Sequence, residues 1–141
     1  VILGFTGTDV GLTFVQYVNV RSDLHNLVQG LHVEEVHHGD CVGADATFDA
    51  ICVEFWVKRK LHPGLDDNGE WKRRAWCQSD HVEQGLPYLD RNRVIVHRSD
   101  ILWACPREVD EVKRSGTWHT VREARERGVP VRLYLPDGSI R

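Results

Sequence analysis

The sequence predicts an α/β fold: a single Rossmann-like three-layer domain built on a mostly parallel sheet of about five strands. Three observations carry that expectation. Short apolar runs alternate with stretches of helical spacing along the whole chain, the pattern of a parallel sheet covered by helices on both faces. Glycine loops, Gly7–Gly11 and Gly39–Gly43, follow the first two apolar runs. The 141 residues, 41% hydrophobic and 28% charged, are ordinary for one globular domain with its own core.

Taken in order, Val1 to Thr6 is short and apolar and reads as a central strand. After the loop Gly7–Gly11, Thr13 and Gln16 have capping-box spacing, so a helix starts near Thr13. Its apolar residues, among them Phe14, Tyr17, Leu24, Leu27 and Val28, recur at helical intervals, and Gly30 is expected to end it. Val33 to His38 reads as a second strand. Ala44, Phe48, Ile51, Cys52 and Phe55 then lie on one helical stripe. Lys58, Arg59 and Lys60 are expected to close that helix, where its dipole favours cations, ahead of a short strand at Leu61-His62-Pro63.

Residues 63–87 form an irregular insertion, of a length that is often functional in a compact domain. Within it, Trp71 to Gln78 is expected to make a helical turn or two. Trp71 and Trp76 must cover something: core, lid, subunit contact or base. Pro87 and Tyr88 open a helix carrying Leu89, Asn92, Ile95 and Val96, and Ile101 to Cys105 is a buried strand. A charged loop, Pro106 to Lys113, leads to a helix from Gly116 to Arg127 that Gly128 terminates. Val129 to Leu135 is the last strand, and Pro136-Asp137-Gly138 turns the chain out. With no repeat and no linker, residues 1–141 read as one domain.

Composition narrows the function. A net charge of −3 argues against a sequence-independent grip on nucleic acid, and no apolar run is long enough to span a membrane. Cys41, Cys52, Cys77 and Cys105 have no CxxC spacing, so free thiols and a cytoplasmic location are expected. His37, His38 and Cys41 fall short of the ligand set of a zinc site, and no metal is assigned. No Walker A, Gly-x-Ser-x-Gly or His-Glu-x-x-His pattern is present, and no cofactor is assigned.

In open parallel sheets ligands bind outside the carboxyl ends of the strands, at the switch point of strand order. Three loops are expected at that edge. The first offers Gly7 and Thr8; the second Gly39, Asp40, Gly43, Ala44 and Asp45; the third Ser115, Gly116, Thr117 and Trp118. The third opens a helix, whose first N–H groups lack internal partners and attract anions. Taken alone, Ser115-Gly116-Thr117 reads as an ordinary N-cap. The convergence of three such loops points instead to an anionic ligand, a nucleotide above all. Arg91 and Asn92 suit a phosphate or a sugar. Asp45 either accepts from ribose hydroxyls or offsets a helix dipole. His119, on the first turn of its helix, is either a general acid or a packing histidine.

The motifs Gly4-Phe5-Thr6-Gly7-Thr8, His38-Gly39-Asp40-Cys41-Val42-Gly43-Ala44-Asp45, Tyr88-Leu89-Asp90-Arg91-Asn92, Asp100 to Pro106 and Ser115 to Ala124 together resemble the SLOG superfamily of Rossmann-like domains. That superfamily includes the DNA-processing protein A domain and the LONELY GUY phosphoribohydrolases. The resemblance spans Ile2 to Gly138. It implies a nucleotide-derived ligand with its phosphate against Gly116 and Thr117 and other parts facing Gly39, Gly43, Asp45 and Arg91. It also implies a homo-oligomer, with Trp71 and Trp76 as contact points. The hydrolases carry a Pro-Gly-Gly-x-Gly-Thr-x-x-Glu pattern. Aligned on Gly116-Thr117, its carboxylate position is Thr120, and Lys113-Arg114-Ser115 replaces the diglycine. Three functions stand: a nucleotide-binding domain; an N-glycosidic hydrolase of nucleoside 5′-monophosphates in which Asp45, His119 or Glu123 replaces the missing acid; and a DNA-processing-related module.

Overall fold

A computed structural model describes residues 1–141. Along the chain lie β1 (Ile2–Gly7), α1 (Phe14–Gly30), β2 (Glu35–His38), α2 (Ala44–Glu54), β3 (Arg59–Leu61), β4 (Gly64–Leu65) and β5 (Leu86–Pro87). They are followed by α3 (Tyr88–Arg98), β6 (Ile101–Cys105), α4 (Gly116–Glu126) and β7 (Val131–Leu133). Five strands make one all-parallel sheet in the order β3-β2-β1-β6-β7, so the fold is a Rossmann-like α/β domain. The chain builds outward from β1 through β2 to β3, then crosses back to β6 on the other side of β1. The switch point is therefore the β1–β6 pair.

The two-residue period of these strands builds two faces. Leu3, Phe5, Trp103 and Cys105 point to the side covered by α1 and α2, where they meet Val20, Leu24, Phe48 and Ile51. Phe5 and Phe48 stack with ring centroids 4.0 Å apart. Leu102 and Ala104 point to the other side, against Ile95 and Val96 of α3 and Trp118, Val121 and Ala124 of α4. Gln16 ties α1 to the sheet: its amide nitrogen donates to the carbonyls of Pro106 and Tyr134, each at 2.8 Å. Its oxygen accepts from the Thr13 N–H, completing the capping box with the Thr13 hydroxyl. The four cysteines are free thiols. No helix is long and apolar enough to cross a membrane.

Four local expectations are corrected. The helix carrying Phe48 stops at Glu54, and Lys58 to Lys60 do not cap it. Trp56 takes a left-handed φ of 60°, which turns the chain back, and Arg59 and Lys60 pair in parallel with Val36 and His37 of β2. The strand expected at Leu61–Pro63 is thus Arg59–Leu61. Trp71 to Gln78 forms no helical turn. Left-handed φ values at Arg73 and Trp76 interrupt it, and bridges from Trp71 to Leu65 and from Arg74 to Cys41 hold it as an irregular arm. Gly30 is the last residue of α1, with Leu31 as its cap.

Candidate functional site

A cleft of about 410 Å³ opens at the carboxyl ends of β1 and β6. Gly7 and Thr8 form its floor, Gly39 and Asp45 one wall, Arg91 and Asn92 of α3 its depth, and Ser115, Gly116 and Thr117 the facing rim. The three loops thus converge at the switch point. After β1 and β2 the local reason is the same, an apolar strand ending in a glycine-rich corner that leads into a helix, whereas β6 reaches α4 through the charged loop 106–115, with Gly116 the first helical residue.

The rim combines both sequence readings. Ser115 is the N-cap of α4, its hydroxyl accepting from the Trp118 N–H at 3.2 Å. The N–H groups of Gly116 and Thr117 find no protein acceptor. A Cβ built on Gly116 would meet nothing within 4 Å, so the approach to these donors is open.

Arg91 is buried and tightly held. Its Nη1 donates to the carbonyls of Gly39 at 2.6 Å and His62 at 2.9 Å, and its Nε to Asn92 Oδ1 at 2.7 Å. Gly39 is required here: a Cβ would sit 2.3 Å from Arg91 Nη1 and 2.9 Å from Asp45 Oδ2. Asp45 is only 5% exposed. Its Oδ2 accepts from the N–H groups of Gly39 at 3.1 Å and Cys41 at 3.2 Å, while its buried Oδ1 has no partner. Burial pushes its carboxyl up, against the opposing pull of His38, Arg91 and the two amides. Burial likewise raises the neighbouring Cys41 thiol to about 11, so that thiol is no nucleophile at neutral pH.

Six expected site residues do other work. Asp40 is fully buried; its carboxylate accepts from Arg74 Nε at 3.1 Å and the Cys77 N–H at 2.9 Å, anchoring the arm. Gly43, at φ 90°, lets the β1 loop press against it: a Cβ there would lie 2.5 Å from the Asp9 carbonyl oxygen. The Ala44 N–H is spent on the Thr8 carbonyl at 2.9 Å, so the start of α2 holds the loop of β1, not a ligand. Trp118 is a core residue packed with Ala104 and Leu133. Glu123 is ion-paired on the surface with Arg127 at 2.9 Å. His119, beyond the rim on the same helix, does not line the cleft.

The cleft also gains residues that the sequence did not single out. Arg107, Glu108 and Arg114 come from the loop leaving β6, and Lys72 and Arg73 from the arm. The strand-end rule that pointed to the other loops applies equally to 106–114; the arm residues have no local signal. Arg73 pairs with Asp9, and Lys72 lies 3.5 Å from the centre of the Tyr88 ring. Glu108 Oε1 is buried without a partner. Five cations (Lys72, Arg73, Arg91, Arg107 and Arg114) face three carboxylates (Asp9, Asp45 and Glu108), so the cleft is cationic in a chain of net charge −3.

Behind Arg91, His37 and His62 are buried with Nδ1 and Nε2 2.8 Å apart, and His37 Nε2 meets Glu35 at 2.5 Å. His38 Nδ1 accepts from the Asp40 N–H at 3.0 Å, so its Nε2 carries the proton donated to Asp49 at 2.8 Å. These rings are structural partners of neighbouring groups. No protein-family model matches the chain, and no curated protein matches it.

Proposed function

We propose that the cleft binds a nucleotide or nucleotide-derived ligand, with its phosphate on the N–H groups of Gly116 and Thr117. The observation that carries this reading is that pair of unpartnered donors, at a helix N-terminus, opening onto a cationic cleft at the switch point. Helix N-termini and strand-order reversals are each favourable places for phosphate. Arg107 and Arg114 stand close enough along the chain to add charge to the rim. The resemblance to SLOG domains points the same way.

The test is thermal stabilisation by a panel of nucleoside 5′-monophosphates, since a ligand that binds only the folded state raises stability. Gly116→Pro removes one of the two donors at a helix position that tolerates proline, and Ser115 already has the extended backbone that precedes proline well. The variant is expected to keep its melting temperature and to bind about tenfold more weakly or worse, as loss of a bond to a charged group implies. Undiminished affinity in the variant would remove the rim from the account.

A second reading, hydrolysis of the N-glycosidic bond of a nucleoside 5′-monophosphate, is favoured by one observation. Of the three candidate acids only Asp45 lines the cleft, and burial keeps its carboxyl raised, as a general acid requires. Free base released by the wild-type protein supports this reading; stabilisation without turnover supports the binder.

A further inference from the structure

Three of the four ring nitrogens of His37 and His62 are committed to neighbours, and the order of those bonds decides the state of the fourth. His37 Nε2 meets Glu35 Oε2 at 2.5 Å, and His37 Nδ1 meets His62 Nε2 at 2.8 Å. Against burial, His37 and Lys60 hold the Glu35 carboxyl below its ordinary value, so it is a carboxylate. A carboxylate only accepts, so His37 Nε2 carries the proton. Burial lowers His37 as well, so its ring is neutral at neutral pH. Its Nδ1 is then an acceptor, and His62 Nε2 donates to it. Burial, and after it the neighbouring His37 and Arg98, lower His62 to about 3, so this ring too is neutral. The lone pair of His62 is therefore on Nδ1.

His62 lines a second cleft, of about 210 Å³, between the end of β3, the end of the arm and α3. Its Nδ1 has no protein partner and is not sealed from solvent, so the lone pair opens into this cleft. The other polar lining is Glu83, Gln84, Arg91 and Arg98. Glu83 is shared between Arg98 at 3.6 Å and Lys60 at 3.8 Å. Exposed pairs of this kind are worth little, so Arg98 can exchange Glu83 for an anion. One small cleft thus joins a cation that attracts negative charge to an acceptor that needs a proton donor. At neutral pH sulfate and carboxylates have lost their O–H, and a phosphate monoester has largely lost it. Inorganic phosphate keeps at least one. We propose that the second cleft binds a small oxyanion that retains an acidic O–H, of the hydrogenphosphate class, with that O–H donating to His62 Nδ1 and the charged oxygens facing Arg98. Glu35 and His37 are positioning residues that keep the proton off Nδ1. The site is separate from the strand-end cleft and does not depend on the nucleotide reading.

Nitrogen-15 NMR of the histidine rings in the wild-type protein tests it. Before any anion is added, His62 is expected to show a protonated Nε2 and a bare Nδ1; a proton on Nδ1 overturns the proposal at once. Inorganic phosphate and sulfate are then titrated at neutral pH and matched ionic strength. Phosphate is expected to give saturable shifts at the His62 ring and at the amides of Gln84 and Arg98, at least about tenfold more tightly than sulfate, because a site built to hydrogen-bond an O–H rejects the analogue lacking it. Glu35→Gln no longer compels His37 to donate, so it should mix the His62 tautomers and narrow the gap between the two anions; an unchanged tautomer and gap would remove the positioning role. The wild-type comparison does not need that variant. Equal affinity for the two anions, or tighter binding of sulfate, overturns selection by the O–H. Phosphate shifts confined to Gly116 and Thr117 overturn the second site while leaving the nucleotide reading intact, and no saturable shift at His62 with either anion overturns it as well.

Discussion

Asp45 concentrates the chemistry of the cleft in one side chain. Its carboxyl is raised by burial in the folded state, so over the range above the ordinary carboxyl pKa the native protein holds a proton that the unfolded chain has released. The contribution of this group to stability therefore falls as pH rises through that range. Asp45→Asn cannot titrate, so the difference in unfolding free energy, variant minus parent, should grow as pH rises above the ordinary carboxyl range. Denaturant unfolding at a series of pH values measures this, and parallel profiles would contradict it. Two neighbouring positions test the frame. Ser115→Ala should cost about 1 kcal/mol through the lost N-cap. Gly43→Ala should cost about 1–3 kcal/mol, because the residue combines a left-handed φ with contact against the Asp9 carbonyl. Chemical denaturation reads both.

Among the elements, the arm between β3 and α3 is the part held by polar anchors. Its Ala75 N–H donates to the Asp40 carbonyl at 2.8 Å, and its Cys77 N–H to the Asp40 carboxylate. The Arg74 guanidinium lies over the rings of both Trp71 and Trp76, at 4.3 and 3.8 Å from their centres. Asp40→Ala should speed amide exchange at Cys77 and along the arm while leaving β1 and β6 protected; uniform loss of protection would show instead that the arm and sheet open as one unit. This element also marks where sequence reasoning stops. Periodicity located α3, α4 and β6 because each buries a stripe or run; α1 was located by its capping box and spacing, although Phe14 and Val18 of its expected stripe are exposed. It set β3 two residues too late, since Arg59 and Lys60 carry no apolar signal and become strand only by pairing with β2. It could not have found Lys72 or Arg73 in the cleft, because a bridge from Arg74 to Cys41, far apart in sequence, brings them there. Asp40, Gly43 and Ala44 share a loop with Gly39, Cys41 and Asp45 but do not line the cleft. Whether their donors and acceptors were free depended on tertiary neighbours, and there they are already occupied.

For the whole molecule, the parallel sheet does two things. It buries a continuous core on both faces, and it brings loops from β1, β2 and β6 to one edge, so that a chain of net negative charge carries a cationic cleft. The buried histidines make the frame acid-sensitive. Burial lowers His62 to about 3 from an ordinary 6.5, and lowers its neighbour His37 as well. Below about pH 6.5 the unfolded chain takes up protons that the folded one refuses, so stability is fully present above that pH and is lost as pH falls towards 3. Melting temperatures recorded downward from neutral pH should fall through this window, and His62→Gln should flatten the fall.

The claim beneath all of this is that the rim of α4 and the corner at Gly39 hold one anionic guest between them. Backbone NMR during titration with adenosine 5′-monophosphate tests it most directly. The account predicts saturable shifts centred on the amides of Gly116 and Thr117 and extending to Thr8, Gly39 and Cys41, with the outer strand β3 unmoved. Shifts centred on the exposed tryptophans of the arm, or no saturable change at Gly116 and Thr117, would contradict it.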